Sequence, residues 1–212
     1  MVSSLNQLTR RVDWVTYIPC CPEPRRDVIA WMTTLDQRGD RVTRSVVLGI
    51  GNVLLTDDGA GVHAARRVEV MLHHRADVRI IDGGTLSFTL APLIADADRL
   101  IVIDSADLQA PPGTLRVFLG TDLDAFLGKP KLTVHEVSLV DLLDIARLTD
   151  AVPPQRALVA VQPRTIDWGE ALSAELESAL AAIVAKVIDL LDNWPVEFDK
   201  AHSSPTAAAS CS

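Results

Sequence analysis

Asp57, Asp58, Asp82, Asp104 and His135 are the side chains whose types and spacing suggest chemistry. Asp57 and Asp58 follow the apolar run Val46-Val47-Leu48 and its glycine turn Gly49-Ile50-Gly51-Asn52, Asp82 closes Val78-Arg79-Ile80-Ile81, and Asp104 closes Leu100-Ile101-Val102-Ile103. His135 stands in Lys131-Leu132-Thr133-Val134-His135-Glu136, where a helix is expected to begin. Carboxylate oxygens with one imidazole nitrogen suit a divalent transition metal. Taken singly, each residue has a plainer explanation. Asp is a favoured N-cap and suits the positive end of a helix, and that role accounts for one member of the Asp57-Asp58 pair. It does not account for acids at successive strand ends. Glu136 ranks below His135, because the helix dipole explains a first-turn Glu. His63, His73 and His74 lie among Arg66, Arg67 and Arg75 and read as a solvated helix face with no role.

The elements that must position these residues follow from periodicity. Strands are expected at 45–50, 78–81, 100–103, 114–119 and 157–161, and helices at 58–74, 87–97, about 136–147 and 169–192. On the first helix Val62, Ala65, Val68 and Leu72 share one face; on the last, Leu172, Leu176, Leu180, Ile183, Val187 and Leu191 recur at three and four residues. Val137, Val140, Leu143 and Ile145 are the apolar positions expected of the third helix. Strands alternating with helices predict a single three-layer α/β domain over 43–194. Its mostly parallel, twisted sheet has about five strands, with helices on both faces. Ligands of such sheets bind outside the carboxyl ends of the strands, which is where the acids fall.

Residues 1–42 carry Pro19, Pro22 and Pro24 without a sustained period and read as a poorly ordered extension, with Met32 an alternative start. Residues 195–212 read as a disordered Ser/Ala-rich tail. The chain has 212 residues, 48% hydrophobic and 23% charged, with a net charge of -8. That balance opposes a nucleic-acid or anionic-membrane surface, and 4% aromatic content opposes a stacking platform for single strands. No apolar run is long enough for a signal peptide or a membrane span. Cys20, Cys21 and Cys211 have no framework or zinc spacing, so no disulfide partner is expected and a reducing cytoplasm fits.

Gly49-Ile50-Gly51 also invites a dinucleotide fingerprint, with Asp82 suitably placed. Position 54 is Leu54 rather than the third glycine, and Asp57-Asp58 would place negative charge where pyrophosphate sits. Both features count against a dinucleotide site.

Residues 49–61, GIGNVLLTDDGAG, resemble the opening motif of the nickel–iron hydrogenase maturation endopeptidases. Asp82-Gly83-Gly84-Thr85, residues 100–106, Pro112-Gly113-Thr114 and the His135 segment resemble their further motifs, in the family's order, from about 45 to about 192. The resemblance implies a protease that removes the C-terminal extension of the hydrogenase large-subunit precursor after nickel insertion. It implies Asp58, Asp104 and His135 as metal ligands, with nickel carried by the precursor. Many members have Glu where this chain has Asp58; the shorter Asp draws the metal toward the backbone. No serine or cysteine constellation is present. The cleaving step is open between nickel polarising a carbonyl or water and a carboxylate, Asp57 or Asp82, acting as general base. Gly83, Gly84 and Thr85 would receive the substrate backbone, or Gly83-Gly84 is a tight turn. A non-catalytic nickel-binding assembly chaperone on the same fold is the alternative.

Overall fold

The computed structural model of the chain describes residues 43–85, 88–128 and 139–194. The expected extension, the expected tail and His135 fall outside the described residues. Five strands, β1 (Ser45–Ile50), β2 (Val78–Gly84), β3 (Arg99–Ser105), β4 (Leu115–Leu119) and β5 (Gln155–Val161), form one sheet in the order β2-β1-β3-β5-β4. Every neighbouring pair is parallel except β4–β5. The mostly parallel five-stranded sheet predicted from the sequence is the observed one. From β1 the chain places β2 on one side and β3 on the other, so the crevice between β1 and β3 is a topological switch point.

Among the described residues four α-helices lie between strands, α1 (Ala60–Leu72), α2 (Ala91–Ala95), α3 (Gly120–Leu127) and α4 (Leu139–Leu148), and a fifth, α5 (Ala174–Asp192), follows β5. Side chains alternate across a strand, so β1, β3 and β5, covered on both faces, must be apolar throughout. Val47, Ile101, Ile103 and Val159 pack with Ala64 and Val68 of α1 and with Leu180, Ile183 and Val187 of α5. The opposite-face residues Leu48, Leu100, Val102 and Leu158 are also buried. So are Ile94 of α2, Leu123 and Phe126 of α3, and Leu142 and Leu143 of α4. Each such Leu, Ile or Val contributes about 1.5–3 kcal/mol of transfer free energy.

Five details differ from the sequence reading, the first being that α5 begins at Ala174 and not at about 169, which leaves Leu172 ahead of it. A 3-10 turn, Thr56–Gly59, precedes α1, which begins at Ala60. Strand β2 continues through Asp82-Gly83-Gly84, because its edge register runs on with a bulge opposite Gly49 and Ile50. Helix α3 lies where a loop was expected; at eight residues it is too short for a strong period, although Leu123 and Phe126 are spaced for one face. The buried stripe of α4 is Leu139, Leu142, Leu143 and Ala146, an i, i+3, i+4, i+7 series. Of the expected positions Leu143 belongs to this stripe, Val140 and Ile145 do not, and Val137 lies outside the described residues.

One buried ion pair ties the far side together. Arg156, at the start of β5, donates from Nε and Nη2 to Asp124 of α3 at 3.2 and 2.5 Å. Asp124 also accepts from Arg147 of α4 at 3.0 Å.

Candidate active site at the carboxyl edge of the sheet

Four of the five predicted residues, Asp57, Asp58, Asp82 and Asp104, lie at the carboxyl ends of β1, β2 and β3. Asp58 sits in the 3-10 turn after β1, and its Oδ2 accepts the Asn52 N–H at 2.7 Å. Gly51 is what lets the turn close. Its φ of 131° lies in glycine's region, and a Cβ there would fall 1.8 Å from the Asp58 carbonyl oxygen. The start of α1 is wedged equally tightly: a Cβ on Gly61 would lie 2.2 Å from the Ile103 oxygen and 2.3 Å from the Ile50 oxygen. The helix that follows Asp58 therefore begins between the ends of β1 and β3, one residue short of Asp104. Asp58 thus precedes a helix start wedged between β1 and β3, and Asp104 follows Ile103 on β3. Beside Asp104, the Ser105 hydroxyl is buried without a hydrogen-bond partner.

Asp57 is completely buried. It does not cap α1, which has no side-chain cap at its amino end. Its carboxylate instead reaches the segment between β5 and α5. Oδ2 accepts from Arg164 N–H at 2.9 Å, Thr165 N–H at 3.2 Å and Ser173 Oγ at 2.9 Å, while Oδ1 accepts from Ser173 N–H at 2.7 Å. Burial works against the charge, but these donors outweigh it and hold the carboxyl below its ordinary value of 3.8. Ser173 is also the N-cap of α5, its Oγ accepting from Leu176 N–H. Sequence reasoning missed this partner segment. Its signal was a polar stretch, residues 162–173, after the last strand, at the edge where the acids gather.

The same seam continues outward as backbone pairing. Thr56 N–H donates to the Gly169 oxygen at 2.6 Å and Gly169 N–H to the Leu54 oxygen at 2.9 Å, a parallel bridge between Leu55 and Gly169. Thr56 Oγ1 donates to the Thr165 oxygen at 3.0 Å and accepts from Asp167 N–H at 3.1 Å.

Asp82 faces solvent. Its Oδ2 accepts from Arg66 of α1 at 2.9 Å and its Oδ1 from Gly84 N–H at 3.1 Å. Gly51 N–H donates to the Gly84 oxygen at 2.8 Å, joining this corner to the Asp58 turn. Gly83 and Gly84 differ. A Cβ on Gly83 would strike the Leu48 side chain at 2.7 Å, whereas one on Gly84, with φ 49°, would meet nothing within 4 Å. Gly83 is glycine for packing; Gly84 and the exposed Thr85 border open space. His63, left without a role in the sequence reading, has a buried, unpartnered Nε2, and burial, with Arg66, lowers its pKa. Among the described residues no three His, Cys, Asp or Glu side chains form a metal-holding group. His135, the third predicted ligand, lies outside them.

Among the described residues, no helix is long and apolar enough to cross a membrane.

A sequence model of the hydrogenase maturation proteases (HycI) matches residues 62–190. The HupD hydrogenase expression/formation protein of Rhodobacter capsulatus is 34% identical over 158 residues, covering 74% of this chain and 75% of its own length. The hydrogenase 2 maturation protease of Escherichia coli is 30% identical over 155 residues, covering 73% and 94%. Among solved structures, the hydrogenase maturating endopeptidase HybD from E. coli superposes with a TM-score of 0.64 at 29% identity, covering 71% of this chain and 94% of that one. With this match spanning most of the sheet and helices described above, the chain belongs to the hydrogenase maturation protease family.

Proposed function

We propose that the chain is an endopeptidase that removes the C-terminal extension of the nickel–iron hydrogenase large-subunit precursor after nickel insertion. It recognises the precursor's nickel through Asp58, Asp104 and His135. The observation that supports this reading is that Asp58, in the turn after β1, and Asp104, in the last residues of β3, follow adjacent parallel strands between which the chain order reverses. An oxygen donor set completed by one imidazole fits a nickel dication. Two carboxylates after adjacent strands repel each other and any approaching backbone carbonyl until a cation enters. Binding is thereby coupled to a nickel-loaded precursor, and nickel is part of the substrate.

The nickel supplies Lewis acidity toward the bond to be cut. For the general base the two candidate carboxylates are not equivalent. The Asp57 oxygens accept four hydrogen bonds from their own protein, and the group stands behind the turn. It is a positioning residue for Asp58. Asp82 is exposed beside Gly84 and Thr85, oriented by Arg66, and takes the base role. It accepts a proton from the attacking water, which then passes to the leaving amine. The open side of Gly84 gives the precursor backbone room to approach.

The test is incubation with nickel-loaded and nickel-free precursor, read as the mass of the C-terminal product. The loaded form is shortened and the free form is not; His135→Ala abolishes shortening while circular dichroism is unchanged. Failure to shorten the loaded precursor overturns the proposal. Full activity of His135→Ala removes that residue from the site.

A further inference from the structure

Trp168 is 79% exposed, Ile166 55% and Leu54 48%; the other exposed large apolar side chains among the described residues, Val70, Met71, Phe88 and Leu148, lie on α1, just before α2 and on α4, away from these three in the chain. Trp168, Ile166 and Leu54 lie on the two segments joined by the Leu55–Gly169 bridge, with Leu54 and Trp168 each one residue before the bridged pair. The segment that bears them is stiff. Gly169 and Thr56 exchange backbone hydrogen bonds with their partners, Trp168 N–H donates to Asp167 Oδ1 at 2.7 Å, and Asp57 anchors Arg164 and Thr165 from beneath. An indole held out to solvent on a rigid, hydrogen-bonded platform, in the loop that Asp57 anchors through Arg164, Thr165 and Ser173, has the composition of an interface hot spot.

We infer that Leu54, Ile166 and Trp168 form a docking surface for the precursor protein, receiving an apolar segment flanked by lysine or arginine. The inference rests on the substrate reading given above. The charge of the rim selects the occupant. Asp167 and Glu170 are exposed in the same segment, and the guanidinium of Arg164 is taken by Glu175, at 3.1 Å to each oxygen. The rim is therefore net negative. A second copy of the chain would set acid against acid, and an anionic membrane would be repelled; a basic-flanked polypeptide is complementary. The three side chains cover on the order of 300 Å². That is far below the roughly 1,600 Å² of a standard stable interface. Such a surface suits an encounter that forms for one cleavage and is then released.

The test uses the full chain labelled with 5-fluorotryptophan, with the Trp168 resonance assigned by its loss in Trp168→Phe. Nickel-loaded precursor is added, and processing kinetics are measured for wild type, Trp168→Ala and Leu148→Ser, the last an 88% exposed leucine on α4 serving as control. The Trp168 resonance shifts on addition of precursor, and Trp168→Ala raises KM about tenfold, with the loss concentrated in KM rather than kcat. Leu148→Ser behaves as wild type. No shift and an unchanged KM for Trp168→Ala overturn the docking surface while leaving the protease reading intact. A shift with anionic vesicles, or with concentration of the chain alone, in place of a shift with precursor also overturns it. If wild type shortens no precursor, the substrate reading fails, and the fluorine shift still reports separately whether this surface binds that protein.

Discussion

Replacing Asp57 by Asn tests the seam at the point where most depends on one side chain. Asparagine keeps the shape but offers one acceptor oxygen and an NH2 in place of the second. Setting its oxygen at the Oδ2 position preserves the bonds from Arg164, Thr165 and the Ser173 hydroxyl, and turns the NH2 toward the Ser173 N–H. That leaves one buried donor unsatisfied, costing about 1–3 kcal/mol. The three retained bonds lose their charge assistance at roughly 0.5 kcal/mol each. Asp57→Asn is therefore expected to destabilise the domain by about 3 kcal/mol, lowering Tm by about 6–12 °C for an ordered region of this size. Urea unfolding reads it as a lower midpoint at unchanged slope. The pH dependence adds a second check. The folded pKa of Asp57 lies below its ordinary 3.8, so the folded state binds fewer protons than the unfolded one. Its stabilising contribution is complete above 3.8 and is lost as the pH falls below that value. The gap between wild type and Asp57→Asn should close when the midpoints are compared at about pH 6 and about pH 2.5. A destabilisation under about 1 kcal/mol, or a gap that is the same at both pH values, refutes the reasoning.

Gly61→Ala pushes a methyl group against two backbone oxygens that cannot rotate away, those of Ile103 and Ile50. It is expected to cost about 2–3 kcal/mol in urea unfolding and to abolish precursor shortening, because the Asp58 turn moves off the strand ends. Asp124→Ala leaves the buried Arg156 guanidinium with only a 3.4 Å contact to the Pro153 oxygen. It is expected to cost about 3 kcal/mol, at the low end for a broken buried pair because Asp124 is partly exposed. The double variant Asp124→Leu with Arg156→Met should recover most of that loss in the same assay.

The sheet was legible because β1, β3 and β5 are short apolar runs bounded by turn residues, and the long helices because Val62, Val68, Leu180, Ile183 and Val187 repeat at helical spacing. The observed face of α1 is the predicted one, and that of α5 is the predicted one from Leu176 onward, with Leu172 lying ahead of the helix. Helix α3 was not legible: its eight residues bury only two large apolar side chains, Leu123 and Phe126, too few to set a period. Antiparallel β4 looked like any other half-buried strand, since direction leaves no trace in composition. At the carboxyl edge of the sheet, strand ends could be read from the sequence, so the positions of Asp82 and Asp104 in the last residues of β2 and β3, and of Asp58 in the turn after β1, were legible. The partner of Asp57 was not. Its donors come from residues more than a hundred positions away and are mostly backbone N–H groups, which every sequence contains. Gly83 and Gly84 are adjacent and chemically identical, yet only the fold separates the packed one from the open one.

The close backbone contacts at Gly51 and Gly61 bear on how this protease can change. The frame that holds Asp58 near the switch point is fixed by main-chain atoms within touching distance, so almost any substitution there is lethal to the geometry. Trp168, Ile166 and Leu54 stand outside that frame, exposed and free of packing demands. Lineages can therefore exchange one client protein for another by altering the rim alone, and an engineer retargeting the enzyme can randomise those positions without first restabilising the fold.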